Sequence, residues 1–251
     1  ERYQESYDEG RLSATVGFEK RYPGHLRRGV SFRAENVYVS DLDTTAPKEV
    51  RGVKGDNHLF GTRFYFAKNT TDSRFRPSRG YNFEAGYEQV AGDNTFGVIN
   101  ATQRWYKTLY EDLSENKTVL ETKVATAAIV GDAPVFEKFY VGGTGSLRGF
   151  EYRGISPRSG SQDDPVGSDW MVTGNAEVAV PIGGETFSAL FFTDAGMIET
   201  GGVRASIGAG VQILIPQFFG PVPMRFELAM PFMKDSKDET QAFSFSVGAL
   251  F

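Results

Sequence analysis

Three charged side chains are the residues of this sequence best suited to chemistry: Arg148, Glu177 and Asp194. Arg148 lies in a stretch, residues 139–158, whose five glycines permit positive φ angles and close backbone approach. This stretch is too rich in glycine for a helix and too long for a tight turn, so it predicts a long ordered loop. The arginine stands in the hexamer Gly145-Ser146-Leu147-Arg148-Gly149-Phe150. Taken alone, the hexamer fits equally well a surface loop whose arginine is solvated.

Enzymatic chemistry finds little support in these residues. Glu177 and Asp194 could be written as a glycosidase pair and Ser146 as a hydrolase nucleophile, but no base or oxyanion site is arranged around them in sequence. There is no Gly-x-Ser-x-Gly elbow. The chain has no cysteine, and its two histidines, His25 and His58, lie in unrelated segments. Thiolate metal sites and disulfides are excluded and a Ser-His-Asp triad is disfavoured, so we expect a non-enzymatic protein with no cofactor and no metal.

The composition narrows the class of protein further. A net charge of −5 does not suggest a nucleic-acid partner. The mean hydropathy is −0.33, and no apolar run approaches the roughly 18 residues of a transmembrane helix. Transmembrane barrels hide their hydrophobicity in alternation, because every second residue faces the lumen. The 21 Phe, 11 Tyr and 29 Gly of this chain fit that pattern.

Alternation of apolar and polar residues predicts eleven strands, bounded by Gly, Asp, Asn or Pro. They are residues 11–22, 29–40, 58–69, 81–91, 95–110, 117–130, 171–181, 186–198, 202–215, 222–232 and 241–251. Their polar faces carry Arg, Glu and Lys in strand after strand, and no long helix is predicted to cover the apolar faces. The pattern therefore favours an all-β fold, a transmembrane antiparallel up-and-down β-barrel, over a soluble sandwich or jelly roll.

The odd number of strands indicates that part of the barrel is missing from this count. Bacterial single-chain barrels close with an even number of strands. Either one strand escapes detection or the sequence lacks the start of the barrel. Glu1 begins abruptly in polar sequence, so we expect a mature or truncated chain whose residues 1–251 form one barrel domain.

Five motifs resemble those of the superfamily that includes BamA, TamA and the two-partner-secretion transporters. They occur in the same order and at the same strand positions as in that superfamily. The hexamer at 145–150 resembles its Val/Leu-Arg-Gly-Phe/Tyr loop motif. The other four are the turn 71–80, Asn175-Ala176-Glu177, Phe192-Thr193-Asp194-Ala195-Gly196 and the C-terminal segment 243–251, which resembles the β-signal of outer-membrane barrels. The resemblance covers residues 58–251 well and the first 57 residues loosely.

The resemblance implies a sixteen-stranded barrel in the bacterial outer membrane, preceded by periplasmic POTRA modules. The sequence departs from that pattern, since it holds about five strands too few and no POTRA module, so we expect it to be the C-terminal portion of such a barrel. The resemblance also implies that the loop folds back into the lumen and that Arg148 docks on acidic lumen residues. Alternation places Glu177 and Asp194 on the lumen face of adjacent strands, where they are the expected partners.

The function implied by the resemblance is insertion or translocation of outer-membrane proteins, without covalent chemistry, through a weakly paired seam. Phe243, Phe245, Gly248 and Phe251 mark the β-signal and the seam, with the aromatic side chains expected to face lipid. Gly248 fits a last strand that pairs incompletely, but also a routine β-signal glycine. Expected partners are outer-membrane lipids, unfolded outer-membrane clients and accessory lipoproteins. The alternative is a passive pore or structural barrel of the same superfamily that lacks periplasmic modules.

Overall fold

The chain forms one antiparallel sheet of consecutive strands. A computed structural model describes residues 2–3, 6–74, 76–184, 186–214 and 222–248. The long strands are β1 (Asp8–Tyr22), β2 (Leu26–Ser40), β3 (Gly55–Asn69), β4 (Gly80–Gly92), β5 (Phe96–Glu111), β6 (Lys117–Gly131), β7 (Trp170–Gly183), β8 (Phe187–Ile198), β9 (Arg204–Leu214), β10 (Pro223–Met233) and β11 (Phe243–Val247). Each is hydrogen-bonded to the next in the sequence, and the two-residue strand Arg2–Tyr3 pairs with β1.

Among the described residues, helical structure is limited to two short pieces in the loops. Helix α1 spans Lys48–Arg51, and a 3-10 turn spans Val135–Glu137. Val50 and Val135 from these pieces are buried in one cluster with side chains of β2 to β5. No helix in the described ranges is long and apolar enough to cross a membrane.

The eleven predicted strands and the all-β class are confirmed, and the differences lie at the strand ends. Strand β1 begins at Asp8 and β2 at Leu26, each three residues earlier than predicted. Backbone pairing continues past the apolar belt into polar sequence such as Arg27-Arg28, because a ladder needs only backbone groups. The loop 41–57, predicted to be irregular, contains α1.

The two faces of the sheet differ as alternation requires. Apolar side chains on the outer face are exposed, as for Leu12 at 78% and Phe64 at 57%. The inner face carries ion pairs between neighbouring strands, as where Arg63 Nη2 donates to Glu84 Oε1 at 2.9 Å. Bare apolar surface on one side and charge on the other is the arrangement of a barrel that faces lipid outward.

As far as the structure describes it, the last strand is the shortest of the eleven and pairs with one neighbour. Strand β11 pairs with β10 over five residues, and Phe243 and Phe245 lie on the outer face, about half exposed. Gly248 follows the strand with a φ of 112° and donates its N–H to the Pro223 carbonyl at 2.9 Å. Within the described residues the sheet does not close on itself, since β11 and β1 are not paired. Phe251 lies outside the described residues.

The two ends of the sheet carry different connections. The loops 41–54, 132–169 and 234–242 leave one end, which we call the long-loop end, and tight hairpins such as 22–26 close the opposite, short-turn end. At the short-turn end Asp72 holds the turn 70–79, because its carboxylate accepts the backbone N–H groups of Ser78 and Arg79 at 2.8 and 3.2 Å. Burial acts to raise the pKa of Asp72, but hydrogen bonds from Ser78 and Arg79 outweigh it and lower the pKa.

The outward direction of the apolar face can be tested with one arginine placed on each side of the sheet. We expect Phe64→Arg to destabilise the folded barrel by about 2–4 kcal/mol, because the charge lies near the centre of the lipid-facing belt. Thr102→Arg, on the inner face opposite Glu84, should change stability little. Denaturant unfolding in lipid vesicles measures both, and equal destabilisation by the two variants would contradict this orientation.

Candidate functional site

The loop 132–169 lies against the inner face of the sheet and carries its own small core. Leu147 and Phe150 are fully buried, in a cluster with Val141, Ile155 and Ile198 of β8. Gly149, with a φ of 91°, lies where an added Cβ would come within 3.3 Å of Ala229 and Pro231. The Gly-rich sequence therefore allows the loop backbone to approach β10 directly.

Arg148 is held by Asp194 of β8 through three hydrogen bonds. Its Nε donates to Oδ2 and its Nη2 to Oδ1, both at 2.8 Å, which is two-point pairing of a guanidinium with a carboxylate. The backbone N–H of Arg148 also donates to Oδ2 at 3.0 Å. Asp194 is 1% exposed and Arg148 is 8% exposed, so the pair is removed from water.

Two more carboxylates complete the surroundings of this guanidinium. Nη1 of Arg148 donates to Oε2 of Glu177 on β7 at 2.5 Å and to Oε1 of Glu227 on β10 at 2.9 Å. Arg225 on β10 pairs with the same two glutamates. The cluster thus holds two guanidinium groups and three carboxylates from the loop and three strands. We call these five residues the arginine cluster.

These partners keep the guanidinium of Arg148 protonated. Burial acts to lower its pKa, but hydrogen bonding to Asp194 and the charges of Asp194, Glu177 and Glu227 raise the pKa above its ordinary value. The guanidinium carbon also lies 3.4 Å from the centre of the Phe192 ring, a cation–π contact. An added Cβ at Gly208 would overlap that ring, so the glycine on β9 leaves space for it.

The loop backbone at Arg148 and just before it is hydrogen-bonded to side chains of β6, β7 and β9. Ser206 Oγ on β9 donates to the Arg148 carbonyl at 2.6 Å. Asn175 Nδ2 on β7 donates to the Ser146 carbonyl at 2.8 Å, and Lys123 Nζ on β6 donates to the Gly145 carbonyl at 2.8 Å. An added Cβ at Gly196 would come 2.8 Å from the Leu147 side chain. The segment 145–150 is therefore fixed by its carbonyl groups as well as by its arginine.

The same segment is joined to the loop that precedes the last strand. Gly149–Phe150 forms a two-residue antiparallel pair with Thr240–Gln241. The Glu151 N–H donates to the Glu239 carbonyl at 3.0 Å, and the Glu239 N–H donates to the Gly154 carbonyl at 3.0 Å. Docking of Arg148 and the position of the loop 234–242 are therefore mechanically linked.

A second ionic contact, of opposite sign, anchors the start of the loop. Glu137 accepts hydrogen bonds from Arg11 Nη1 on β1 at 2.9 Å and from Arg33 Nη2 on β2 at 3.1 Å. Arg11 Nη2 also donates to the Phe136 carbonyl at 2.6 Å. The loop thus places an anion on the arginines of β1 and β2 and a cation on the carboxylates of β7, β8 and β10.

The structure brings together the residues that sequence analysis selected around the loop: Arg148, Glu177, Asp194, Phe192 and Gly196. The seam residues Phe243, Phe245 and Gly248 lie on or after β11, outside this cluster. Sequence analysis missed Glu227, although alternation along 222–232 places it on the inner face. It also missed Ser206 and Glu137. No periodic pattern marks Glu137, because it lies in a three-residue 3-10 turn of the loop, which is too short to show a period.

The arginine cluster can be tested by comparing a buried ion pair with an exposed one. We expect Arg148→Ala to cost about 3–5 kcal/mol of unfolding free energy, because it leaves buried carboxylates without their partner. The cost of Arg148→Lys should fall between those of the wild-type protein and Arg148→Ala, since lysine keeps the charge but loses the two-point pairing. Lys237→Ala breaks an exposed pair with Asp163 and should cost about 0–1 kcal/mol. A cost of Arg148→Ala no larger than that of Lys237→Ala, in denaturant unfolding, would contradict the docking.

Glu137 gives a separate prediction for the start of the loop. We expect Glu137→Ala to cost about 1.5–3 kcal/mol, the range for hydrogen bonds to charged groups, and to expose residues 132–139 to added protease. Glu151→Ala, an exposed carboxylate on the same loop, is the matched control. Equal cleavage of wild type and Glu137→Ala under native conditions would show that this contact does not hold the loop.

The sequence of this chain is similar to that of known outer-membrane proteins. The model of the Omp85 superfamily domain matches residues 1–251. The outer membrane protein assembly factor BamA of Nitratidesulfovibrio vulgaris (strain Hildenborough) is 30% identical over 183 residues, which are 70% of this chain and 22% of that protein. BamA of Neorickettsia risticii (strain Illinois) is 24% identical over 257 residues, 94% of this chain and 33% of that protein. The chain therefore spans a third or less of the length of these relatives.

A solved structure shares the fold. The crystal structure of BamA from Haemophilus ducreyi lacking POTRA domains 1–3 superposes with a TM-score of 0.83 at 20% sequence identity, covering 96% of this chain and 55% of that one. At this identity the likeness supports the barrel fold alone. Because the family model matches the whole sequence, the chain belongs to the Omp85 superfamily of outer-membrane β-barrel proteins.

Proposed function

We propose that this chain is the C-terminal portion of the barrel domain of an outer-membrane assembly factor, which assists folding and insertion of other outer-membrane β-barrels without covalent chemistry. The relatives at 30% and 24% identity are named as outer membrane protein assembly factors. The proposed partners are unfolded barrel proteins, outer-membrane lipids and accessory lipoproteins.

The observation that carries the proposal is the edge of the last strand. Within the described residues β11 pairs with β10 over five residues, from Phe243 to Val247, whereas β9 and β10 pair over ten. An unpaired backbone group in lipid costs several kcal/mol. A last strand held by so few hydrogen bonds therefore favours the addition of a strand from another chain along its edge, which is β-augmentation. An incoming barrel protein is a chain that supplies such strands.

The arginine cluster has a positioning role in this proposal. Arg148 fixes the segment 145–150 to β7, β8 and β10. That segment pairs in turn with Thr240–Gln241, which one residue separates from β11. The docked loop therefore sets where the last hairpin, and with it β11, lies relative to the rest of the sheet. No covalent bond is made or broken, so the free energy for insertion comes from strand pairing and from burial of apolar surface.

Photo-crosslinking from the last strand tests the proposal in the whole protein. A benzoyl-phenylalanine replacing Phe245 should form adducts with newly made outer-membrane proteins, because a client strand pairs beside it. The matched control replaces Val211, which is also on the outer face but lies in β9, between two paired strands.

Adducts from position 245 and none above background from position 211 are the expected result. A passive pore or structural barrel predicts no client adduct at either position. Equal adduct formation at the two positions would show general contact with the outer face, and either of these results overturns the templating role of β11.

A further inference from the structure

An aromatic groove lies on the outer face of the sheet at the short-turn end. It has a volume of about 340 Å³ and is lined by Phe66, Lys68, Tyr81, Phe83, Gln103 and Trp105, on β3, β4 and β5. The Phe66 and Phe83 rings pack edge to face at 5.8 Å, and Trp105 is 48% exposed. A lipid-facing barrel surface needs neither a groove nor polar groups, yet this one contains a lysine and an amide.

Lys68, the cation in the groove, has two further cations near it on β1 and β2. Lys68 Nζ lies 5.7 Å from the centre of the Tyr81 ring. Arg28 of β2 stands directly opposite Phe66 across the ladder, and Lys20 of β1 stands directly opposite Arg28. Lys20 and Arg28 both lie over the Tyr22 ring, at 5.3 and 5.5 Å. Lys20, Arg28 and Lys68, which we call the outer cations, therefore form a row beside the aromatic groove.

Like charges directly opposite each other in a sheet are destabilising. The hairpin of β1 and β2 has one such pair of cations on each face, and the two pairs have different surroundings. On the inner face, Arg21 stands opposite Arg27, and Glu19 accepts a hydrogen bond from each, at 3.0 and 3.4 Å. On the outer face, no carboxylate among the described residues forms an ion pair with any of the outer cations. The inner pair thus has an anion from the same hairpin, whereas the outer pair has none among the described residues.

We propose that the aromatic groove and the outer cations form a binding site for an anionic phospholipid. The headgroup phosphate lies between Arg28 and Lys68, and the upper part of the acyl chains lies along Phe66, Phe83 and Trp105. Tyr and Trp side chains are typical of the interface between lipid and water. The site is next to apolar side chains such as Phe18 and Phe64, both exposed on the outer face.

The position of the site selects a lipid over a soluble anion. In outer-membrane barrels the longer loops are extracellular and the short turns periplasmic, so the groove faces the periplasmic leaflet. A free phosphate would meet only the cations and would leave the aromatic walls uncovered. An anionic lipid satisfies both, because it supplies negative charge at the interface and apolar chains below it.

Lipid titration of the purified whole protein, followed by native mass spectrometry, tests the site. The wild-type protein should bind phosphatidylglycerol more tightly than phosphatidylcholine of the same acyl chains. Arg28→Gln and Lys68→Gln should each weaken phosphatidylglycerol binding about fivefold, as expected for one juxtamembrane cation near an anionic lipid. Lys68→Arg, which keeps the charge, should bind phosphatidylglycerol as tightly as the wild-type protein. Trp105→Leu should weaken both lipids, because it removes a wall of the groove.

Lys54→Gln removes an exposed cation at the long-loop end and should leave the preference unchanged. Heat-modifiability on gels establishes that each variant is folded before titration. The proposal is overturned if wild type binds the two lipids equally or if Arg28→Gln and Lys68→Gln retain the full preference. It is also overturned if Lys54→Gln lowers the preference as much, or if inorganic phosphate displaces the lipid.

Discussion

The structure depends on one buried ionic interaction, the docking of Arg148 on Asp194, Glu177 and Glu227. A guanidinium removed from water costs several kcal/mol unless its donors are paired, and here two-point pairing with Asp194 is joined by two further carboxylates. These partners come from three strands, so the interaction can form only when the sheet has its correct register. The same interaction holds the loop against the inner face beside β10.

The membrane imposes the second constraint, which is that backbone groups in lipid must be paired. Strands such as β9 satisfy it with long ladders to their neighbours, whereas β11 is bonded to β10 over five described residues. The pairing of Gly149–Phe150 with Thr240–Gln241 connects the two constraints, because it joins the docked loop to the hairpin that carries β11. The proposed function rests on this connection, because it would let the protein promote strand addition through geometry alone.

Alternation predicted the strands well, because each strand has one face toward lipid and one toward polar surroundings, and the period of two is strong. It also oriented Glu177 and Asp194, and it could have found Glu227 by the same reasoning. Glu137 and the pairing of residues 149–150 with 240–241 could not be predicted. They depend on irregular loops, in which side-chain direction follows no period and two-residue pairing leaves no trace in the sequence. Asp8 and Leu26 as strand starts were missed because ladders extend beyond the apolar belt.

The most direct test of the account measures whether loss of the arginine contact loosens the last strand. Amide hydrogen exchange of β10 and β11 can be compared between the wild-type protein and Arg148→Lys, which keeps the charge but not the two-point pairing. The account predicts faster exchange in residues 240–247 of the variant, with exchange in the distant strands β3 and β4 unchanged. Unchanged exchange in residues 240–247, in a variant whose loop has left Asp194, would contradict it.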